Sequence, residues 1–232
     1  MIRMKRYVIG DKPKRFVIGD IHGRIGALKQ VLKDSKFNYK KDKLIVLGDI
    51  VDGGPDAKKV VEELMKIDNI VYIIGNHDKW FMDFMRYGTK EDLWTMQGGK
   101  ATLNSYRRKE DGCVHVPVTH QHFFNKGTYY HVEDNMIFVH GGFHPKKKLD
   151  WHKPSYLIWD RELIDFARSH EIEPWDKVFV GHSSTLCHGS TFPRQHNNLW
   201  MMDTGAGHCG KLTIMDVDTE EYWQSDIQPS CK

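Results

Sequence analysis

The sequence predicts an α/β fold, because short β-branched runs alternate along the chain with amphipathic helical stretches. Several of the strand-like runs end in a polar residue flanked by glycine, which is typical of strand ends in an open α/β sheet. No Pro/Ser-rich or low-complexity stretch interrupts the 232 residues, so we expect one domain over residues 1–232.

Three apolar, β-branched runs near the amino terminus predict buried strands: Arg15–Ile18, Lys43–Leu47 and Ile70–Ile74. Two stretches between them carry apolar side chains at helical spacing: Ile25, Leu28, Val31 and Leu32 in the first, and Val60, Val61, Leu64 and Met65 in the second, which begins at Pro55. Each stretch joins two strands, so the segments predict two β-α-β crossovers.

The rest of the chain is helical at first and then rich in strands. From Asn76 to about Tyr106 the pattern is helical and aromatic, whereas the segment from Gly112 to His131 has no clear period and predicts no element. A further helix is predicted around Arg161 to His170. Four later runs with short connections predict strands of a mixed or antiparallel sheet: Met136–Val139, Lys177–Val180, Leu199–Met202 and Leu212–Met215.

The composition excludes several classes of protein. A hydrophobic content of 40% supplies a large core, so folding needs neither disulfides nor a structural metal. The chain has no Cys-x-x-Cys pair and no amino-terminal secretory run, which favours a reducing, cytoplasmic setting. No stretch approaches the roughly 20 apolar residues of a membrane span, and the net charge of +3 is too small to indicate nucleic-acid binding. We expect a monomer that binds neither a membrane nor nucleic acid.

Five of the predicted strands end in a residue that can bind a metal ion, next to a glycine: Gly19-Asp20, Gly48-Asp49, Gly75-Asn76, His140-Gly141 and Gly181-His182. His22 adds a ring nitrogen from the loop of Asp20. Because ligands converge at the carboxyl ends of strands in α/β folds, we expect these side chains to meet. Six ligands are more than one ion takes while a catalytic position stays open. Two ions about 3.5–4 Å apart can share them, with one carboxylate bridging.

Similar pairs elsewhere are weaker signals, since single Gly-Asp and Gly-His pairs are common in turns. Asp11 ends a near repeat of the Asp20 motif, but Lys-Pro follows it, so we interpret Asp11 as a surface turn residue. Asp203 follows a predicted strand, and a structural turn is favoured there over a seventh ligand. The pair Cys187-His188 lacks the glycine-framed elbow of a thiol nucleophile and is assigned no catalytic role.

A resemblance to the phosphoprotein phosphatase branch of the calcineurin-like metallophosphoesterases rests on five blocks in this order and spacing: Gly19-Asp-Ile-His-Gly23, Gly48-Asp-Ile-Val-Asp52, Gly75-Asn-His-Asp78, His140-Gly-Gly142 and Gly181-His182. The segments Leu157-Ile-Trp-Asp-Arg161 and Asp203-Thr-Gly-Ala206 are most similar to its small phage and bacterial members, such as the lambda phage protein phosphatase. The resemblance implies a four-layer α-β-β-α sandwich. It also implies these ligand sets: Asp20 and His22 on the first ion, Asp49 bridging, and Asn76, His140 and His182 on the second.

Hydrolysis of a phosphate monoester requires neutralised phosphoryl oxygens, a nucleophile near pH 7 and a protonated leaving group. Two ions meet the first two requirements, the nucleophile being a bridging hydroxide that attacks phosphorus directly. His77 is the candidate general acid, and Asp52 is the candidate acceptor for its other ring N–H, a pair that the family pattern supports. An additional interpretation of Asp52 is a helix N-cap near Pro55.

Substrate binding is assigned to Arg161, which matches a phosphate-clamping arginine of the small relatives. The alternative for Arg161 is an ion pair with Glu162 or Asp165. The sequence departs from the family at Gly53, where the family has a second arginine. Arg24, Lys58 and Lys100 are conceivable substitutes, and the sequence does not rank them.

The expected function is a phosphomonoesterase of serine/threonine protein phosphatase type, with phosphotyrosine as a further substrate. The alternative is a symmetrical dinucleoside tetraphosphate hydrolase: those enzymes typically share Gly75-Asn-His-Asp78 but usually lack the aspartate found at Asp52. A third hypothesis, a non-enzymatic binding module whose catalytic site has degenerated, is supported only by Gly53. Ligands without thiolate favour manganese, with iron or zinc as alternatives.

Overall fold

A computed structural model describes residues 12–229, in which two five-stranded mixed sheets pack face to face and helices cover both outer sides. Asp11 and Cys231 lie outside the described residues. Among the residues described, no helix is both long and apolar enough to cross a membrane.

The first sheet has the strand order β10-β9-β1-β2-β3. Its strands are β1 (Arg15–Ile18), β2 (Lys43–Val46), β3 (Asn69–Tyr72), β9 (Thr213–Asp216) and β10 (Tyr222–Gln224). The strands β1, β2 and β3 run parallel, as two β-α-β crossovers require, and β9 is antiparallel to both of its neighbours.

The second sheet has the order β4-β5-β6-β8-β7. Its strands are β4 (Tyr130–Glu133), β5 (Met136–Val139), β6 (Lys177–Val180), β7 (Arg194–His196) and β8 (Leu199–Met201). Here β5, β6 and β8 are parallel, and the two edge strands are antiparallel to their neighbours.

The helices fall into two outer layers. The α-helices are α1 (Ile25–Asp34), α2 (Ala57–Leu64), α3 (Asn76–Tyr87), α4 (Asp92–Trp94), α5 (Lys100–Ser105), α6 (Val118–Asn125), α7 (Pro154–Trp159) and α8 (Glu162–Ala167). A kinked turn at Thr95–Gly99, in which Gln97 and Gly98 leave the helical conformation, links α4 to α5. Short 3₁₀ turns lie at Leu149–Trp151 and Thr185–His188.

Strand alternation sorts the apolar side chains into three packed layers. Val17 and Ile45 of the first sheet face Phe138 and Phe179 of the second, and the two phenylalanine rings stack with centroids 5.0 Å apart. Residues of opposite parity on β1 and β2 pack under α1 and α2, and those on β5, β6 and β8 pack under α7 and α8. The predicted four-layer α-β-β-α sandwich is thereby confirmed.

The seven predicted strands all form: three have the predicted ends, and the ends of the other four differ by one or two residues. The strands β4, β7 and β10 were not predicted, and the segment from Gly112 to His131, for which no element was predicted, contains α6. The helix predicted to begin at Pro55 begins at Ala57, and its predicted inner residue Met65 is 41% exposed. The N-cap of that helix is Asp56, so the capping interpretation of Asp52 is wrong.

Candidate metal centre

The carboxyl ends of strands from both sheets meet at one place and bring all six predicted ligands together. Asp20 and Asp49 follow β1 and β2, and Asn76 opens α3 just beyond β3. His140 and His182 follow β5 and β6 of the second sheet. The centre therefore lies across the junction of the two sheets, where neither sheet alone supplies a full ligand set.

Asp49 occupies the middle of the cluster. Its carboxylate lies in a group with His22 and His77, and also in a group with His140 and His182, and within each group the ligand atoms are all within 4.8 Å of one another. A carboxylate common to two ligand groups has the position of a bridging ligand. The presence of His77 in the first group was not expected, because the sequence analysis assigns it a proton-transfer role.

The remaining predicted ligands lie around these two groups. The Asp20 carboxylate is 4.0 Å from His22 Nε2 and accepts the backbone N–H of His182 at 3.1 Å. The Asn76 side-chain oxygen is 3.0 Å from His140 Nε2. Each of these oxygens faces a ring nitrogen that can share a cation with it.

Backbone acceptors fix the orientation of two imidazoles. His22 Nδ1 donates to the carbonyl oxygen of Val51 at 3.1 Å, and His140 Nδ1 donates to that of Leu47 at 2.7 Å. A proton held on Nδ1 leaves Nε2 as the lone-pair nitrogen directed into the cluster, which is the form in which histidine binds a metal.

His182 shows most directly that the cluster fits a cation. Its Nε2 atom is buried and has no hydrogen-bond partner among residues 12–229. Burial lowers the pKa of His182, as it does for His22, in each case to about 3, so both rings are neutral ligands at pH 7. A buried ring nitrogen without a partner is costly unless an ion satisfies it.

The excess of buried carboxylates in the cluster is a second sign that the cluster fits a cation. Burial, followed by the nearby Asp203 and Asp49 carboxylates, raises the pKa of Asp20 well above its usual range. Burial likewise raises the pKa of Asp203, whose Oδ1 accepts the N–H of Gly205 at 2.9 Å. This contact confirms a turn at Asp203, which also lines the cleft. Divalent cations would offset the repulsion between these carboxylates.

Four residues of the centre adopt left-handed backbone conformations: His22 (φ 48°), Asp49 (φ 47°), Asp52 (φ 69°) and His182 (φ 59°). Non-glycine residues rarely take this conformation, and such residues cluster at functional sites. Gly48 precedes one of them with φ 103°, and a side chain there would meet the backbone of Gly75 at 2.6 Å. Glycine at this strand end therefore permits the close approach of two ligand loops.

Asp52 is fully buried beside the metal cluster and accepts three side-chain hydrogen bonds. Its donors are His77 Nδ1 at 2.8 Å, Trp94 Nε1 at 2.7 Å and the Thr102 hydroxyl at 2.6 Å. The predicted contact between Asp52 and His77 is thus present. Trp94 and Thr102 were not found from the sequence, because they lie 42 and 50 residues from Asp52 and no local pattern marks them.

The Asp52 contact influences the protonation of His77. In the metal-free chain, burial alone would lower the pKa of His77, but the Asp49 carboxylate and the hydrogen bond to Asp52 raise it to about 9. Burial raises the pKa of Asp52, and the bonds donated to it oppose that change. The bond to Asp52 therefore anchors Nδ1 and favours the protonated form of the His77 ring.

The ligands open into a cleft of about 1090 Å³ whose lining includes Arg161 and Lys100. Among residues 12–229, Arg161 forms no ion pair, and Asp165 pairs with Arg168 at 3.5 Å. The alternative ion-pair interpretation of Arg161 is therefore not supported. Two cations on the wall of a cleft that contains buried carboxylates suit an anionic ligand held by metal ions.

The structure ranks the three conceivable substitutes for the arginine missing at position 53. Lys100 lines the cleft together with Gly53, and Lys58 does not line it. Arg24 does not line the cleft and donates to the carbonyl oxygens of Ala206 and Pro229. Lys100 is therefore the substitute that the geometry favours.

Residues 14–201 match the calcineurin-like phosphoesterase family. The chain is 28% identical over 209 residues to serine/threonine-protein phosphatase 1 of Salmonella typhimurium, which covers 87% of this chain and 91% of that protein. It is 27% identical over 229 residues to the asymmetrical bis(5'-nucleosyl)-tetraphosphatase PrpE of Oceanobacillus iheyensis, with 89% of each chain covered. The crystal structure of a candidate diadenosine tetraphosphatase, 17% identical, superposes with a TM-score of 0.67 over 93% of this chain and 94% of that one.

Proposed function

Since this chain belongs to the calcineurin-like phosphoesterase family, and is therefore a metal-dependent phosphoesterase, we propose that it is a dinuclear phosphomonoesterase of protein-phosphatase type. Its substrates are phosphoserine or phosphothreonine in proteins, with phosphotyrosine in addition. The similarity to a bacterial serine/threonine phosphatase supports this class of substrate. The Leu157–Arg161 segment, which ends in the cleft-lining Arg161, supports a relationship with the small phage and bacterial phosphatases.

The metal ligands are assigned to two ions. Asp20 and His22 would hold the first ion, Asp49 would be shared, and the remaining three ligands would hold the second ion: Asn76, His140 and His182. When bound, the ions neutralise the phosphoryl oxygens and supply the nucleophile that attacks phosphorus. Ligands without thiolate make manganese our first choice, with iron or zinc as alternatives.

The observation that carries the choice of substrate is the buried contact between Asp52 and His77. The hydroxyl group of serine or threonine leaves as a strongly basic alkoxide, so its departure needs a proton donor. Asp52 holds His77 Nδ1, and the proton on Nε2 is then available to the leaving oxygen. A nucleoside diphosphate leaves as a stable anion and needs much less assistance, so this pair favours the monoesterase over the tetraphosphatase.

Arg161 is assigned to the substrate phosphate. Its guanidinium group lies in the cleft wall without a carboxylate partner among the described residues, so it is available for two parallel hydrogen bonds to phosphoryl oxygens. Lys100 lines the same cleft and supplies a second positive charge in place of the arginine absent at Gly53.

The second candidate function is dinucleoside tetraphosphate hydrolysis, symmetrical or asymmetrical. Two observations favour it: the similarity to PrpE, and a cleft of about 1090 Å³, which is at the upper end of small-molecule sites. The cleft could therefore accommodate far more than one phosphate.

The deciding experiment compares a panel of phosphoserine, phosphothreonine and phosphotyrosine peptides with diadenosine tetraphosphate, using manganese-loaded protein. We expect kcat/KM to be higher for at least one phosphopeptide. Higher turnover of the dinucleotide would overturn the proposal, and its products would identify the mode of cleavage, since symmetrical hydrolysis yields two molecules of ADP and asymmetrical hydrolysis yields ATP and AMP.

Three further proposals accompany this function. Residues 1–232 form a single domain, which is supported by the core shared between the two sheets. The protein acts in the cytoplasm, which is supported by the exposed, unpaired thiols of Cys113, Cys187 and Cys209. It acts as a monomer on phosphoprotein or small phosphoester substrates.

A further inference from the structure

A chain of aromatic rings connects the candidate acid to a metal ligand along one side of the cleft. The ring centroids of His77 and Trp80 are 5.1 Å apart, those of Trp80 and Trp159 are 5.3 Å apart, and those of Trp159 and His182 are 5.6 Å apart. All three contacts are edge-to-face. Trp159 is thus linked to His77 through Trp80 and is in direct ring contact with His182.

Trp159 differs from Trp80 in that it lines the cleft, with 41% of its surface exposed. No ring stacks in parallel on Trp159 within the part of the chain that the structure describes. Met96, which is 80% exposed, also lines the cleft and adds a second large apolar side chain beside a strongly polar centre. These apolar surfaces play no part in binding metal or phosphate, so the mechanism above leaves them unused.

The position of Trp159 is fixed by the loop that carries a metal ligand. Trp159 is the last residue of α7, and the backbone N–H of Gly141, next to His140, donates to the carbonyl oxygen of Leu157 at 2.8 Å. Asp160 is buried, and its carboxylate accepts the N–H of Leu163 at 3.1 Å, which ties the end of α7 to α8. The ring is therefore held in place before any substrate binds.

We propose that Trp159 is a stacking platform for an aromatic leaving group, so that the enzyme prefers aryl and arylmethyl phosphate monoesters, phosphotyrosine among them, over aliphatic ones of the same size. This inference rests on the proposed monoesterase function and names its preferred substrate class. A ring attached close to a phosphate that lies on the metal centre would reach the wall formed by Trp159. Aromatic pairs gain stability beyond the area they bury, which an aliphatic ring of equal volume does not provide.

The test uses benzyl phosphate and cyclohexylmethyl phosphate, which both carry a six-membered ring joined to the phosphate through one methylene and release alcohols of similar acidity. A difference in KM between them therefore reports on the ring and not on leaving-group chemistry. For the manganese-loaded wild-type protein we expect a KM for benzyl phosphate about two- to twelvefold lower. Trp159→Leu should remove this preference and Trp159→Phe should retain most of it, with metal content measured for each variant because Trp159 contacts His182.

Trp151→Ala is the matched control, since Trp151 is 60% exposed but does not line the cleft, and it should leave both KM values unchanged. Equal KM values for the two substrates in the wild-type protein would overturn the inference without any variant being needed. So would a preference that persists in metal-loaded Trp159→Leu protein. If neither monoester is hydrolysed while diadenosine tetraphosphate is, the proposed monoesterase function fails instead.

Discussion

Substitution of Asp52 by asparagine tests the proton-donor assignment through a change of charge alone. Asparagine has the same shape, and its side-chain oxygen can keep the bonds from His77 and Trp94, which both reach Oδ2 of Asp52. Its amide nitrogen then faces the Thr102 hydroxyl, which can turn to accept. Because burial already disfavours the charged form of Asp52, loss of the charge should leave the fold intact.

The expected loss follows from the hydrogen bond that changes. A bond between His77 and a carboxylate is roughly twice as strong as one to a neutral amide, a difference of about 1–2 kcal/mol. If the stronger bond stabilises His77 in the protonated form that donates to the leaving group, its loss in Asp52→Asn should reduce kcat on alkyl phosphates about 5- to 30-fold. The loss on p-nitrophenyl phosphate should be smaller, because p-nitrophenolate needs little protonation to leave.

The assay is steady-state hydrolysis of a phosphoserine peptide and of p-nitrophenyl phosphate by manganese-loaded protein, with metal content and Tm recorded. Asp56→Asn serves as the matched control, because Asp56 is the N-cap of α2 and pairs with Lys59 away from the cleft. Equal losses on the two substrates in a folded, metal-loaded Asp52→Asn protein would refute the idea that Asp52 acts through proton donation by His77.

Three other predictions concern the metals, the acid and the phosphate clamp. Chelation should abolish turnover of p-nitrophenyl phosphate and manganese should restore it, and full activity after exhaustive dialysis against chelator would contradict a dinuclear centre. His77→Asn should retain both ions by metal analysis and lose about 10²–10⁴-fold in kcat on alkyl phosphates, with a smaller loss on p-nitrophenyl phosphate. Arg161→Ala should weaken inhibition by free phosphate about 10- to 100-fold. Lys100→Ala should weaken it about two- to fivefold, since Lys100 is exposed. Gly53→Arg should mainly lower Tm, because Gly53 has φ 75°, which disfavours a side chain. Unchanged phosphate inhibition in Arg161→Ala would exclude it as a clamp, and a fully stable Gly53→Arg protein would show that the backbone there tolerates a side chain.

The strands that precede the candidate ligands could be predicted because they are central in their sheets and buried. Buried strands have continuous apolar sequences, such as Met136–Val139. The edge strands Arg194–His196 and Tyr222–Gln224 could not be predicted, since each has only 3 residues, too few to show an alternating pattern. The helix Val118–Asn125 was also not predicted, because its two histidines and its asparagine obscure the helical period.

The candidate site was predictable to the extent that its residues are marked locally. Strand-end glycines mark the ligands, but nothing local marks side chains that meet through the tertiary fold. The burial of Asp52 by Trp94 and Thr102 depends on how α4, the kinked turn at Thr95–Gly99 and α5 pack over the loop that follows β2. The same holds for Trp159, whose contact with Trp80 joins α7 to α3.

The left-handed backbone at four residues of the centre limits which positions can be mutated to raise the thermal stability of this protein. A non-glycine residue held there costs about 1–2 kcal/mol, against a total stability for a typical domain of about 5–15 kcal/mol. Glycine at His22, Asp49, Asp52 or His182 would relieve that cost and at the same time delete a proposed metal ligand or the proposed partner of His77. A screen for heat resistance alone would therefore enrich inactive chains, and libraries should hold these four positions constant and vary the outer helices instead.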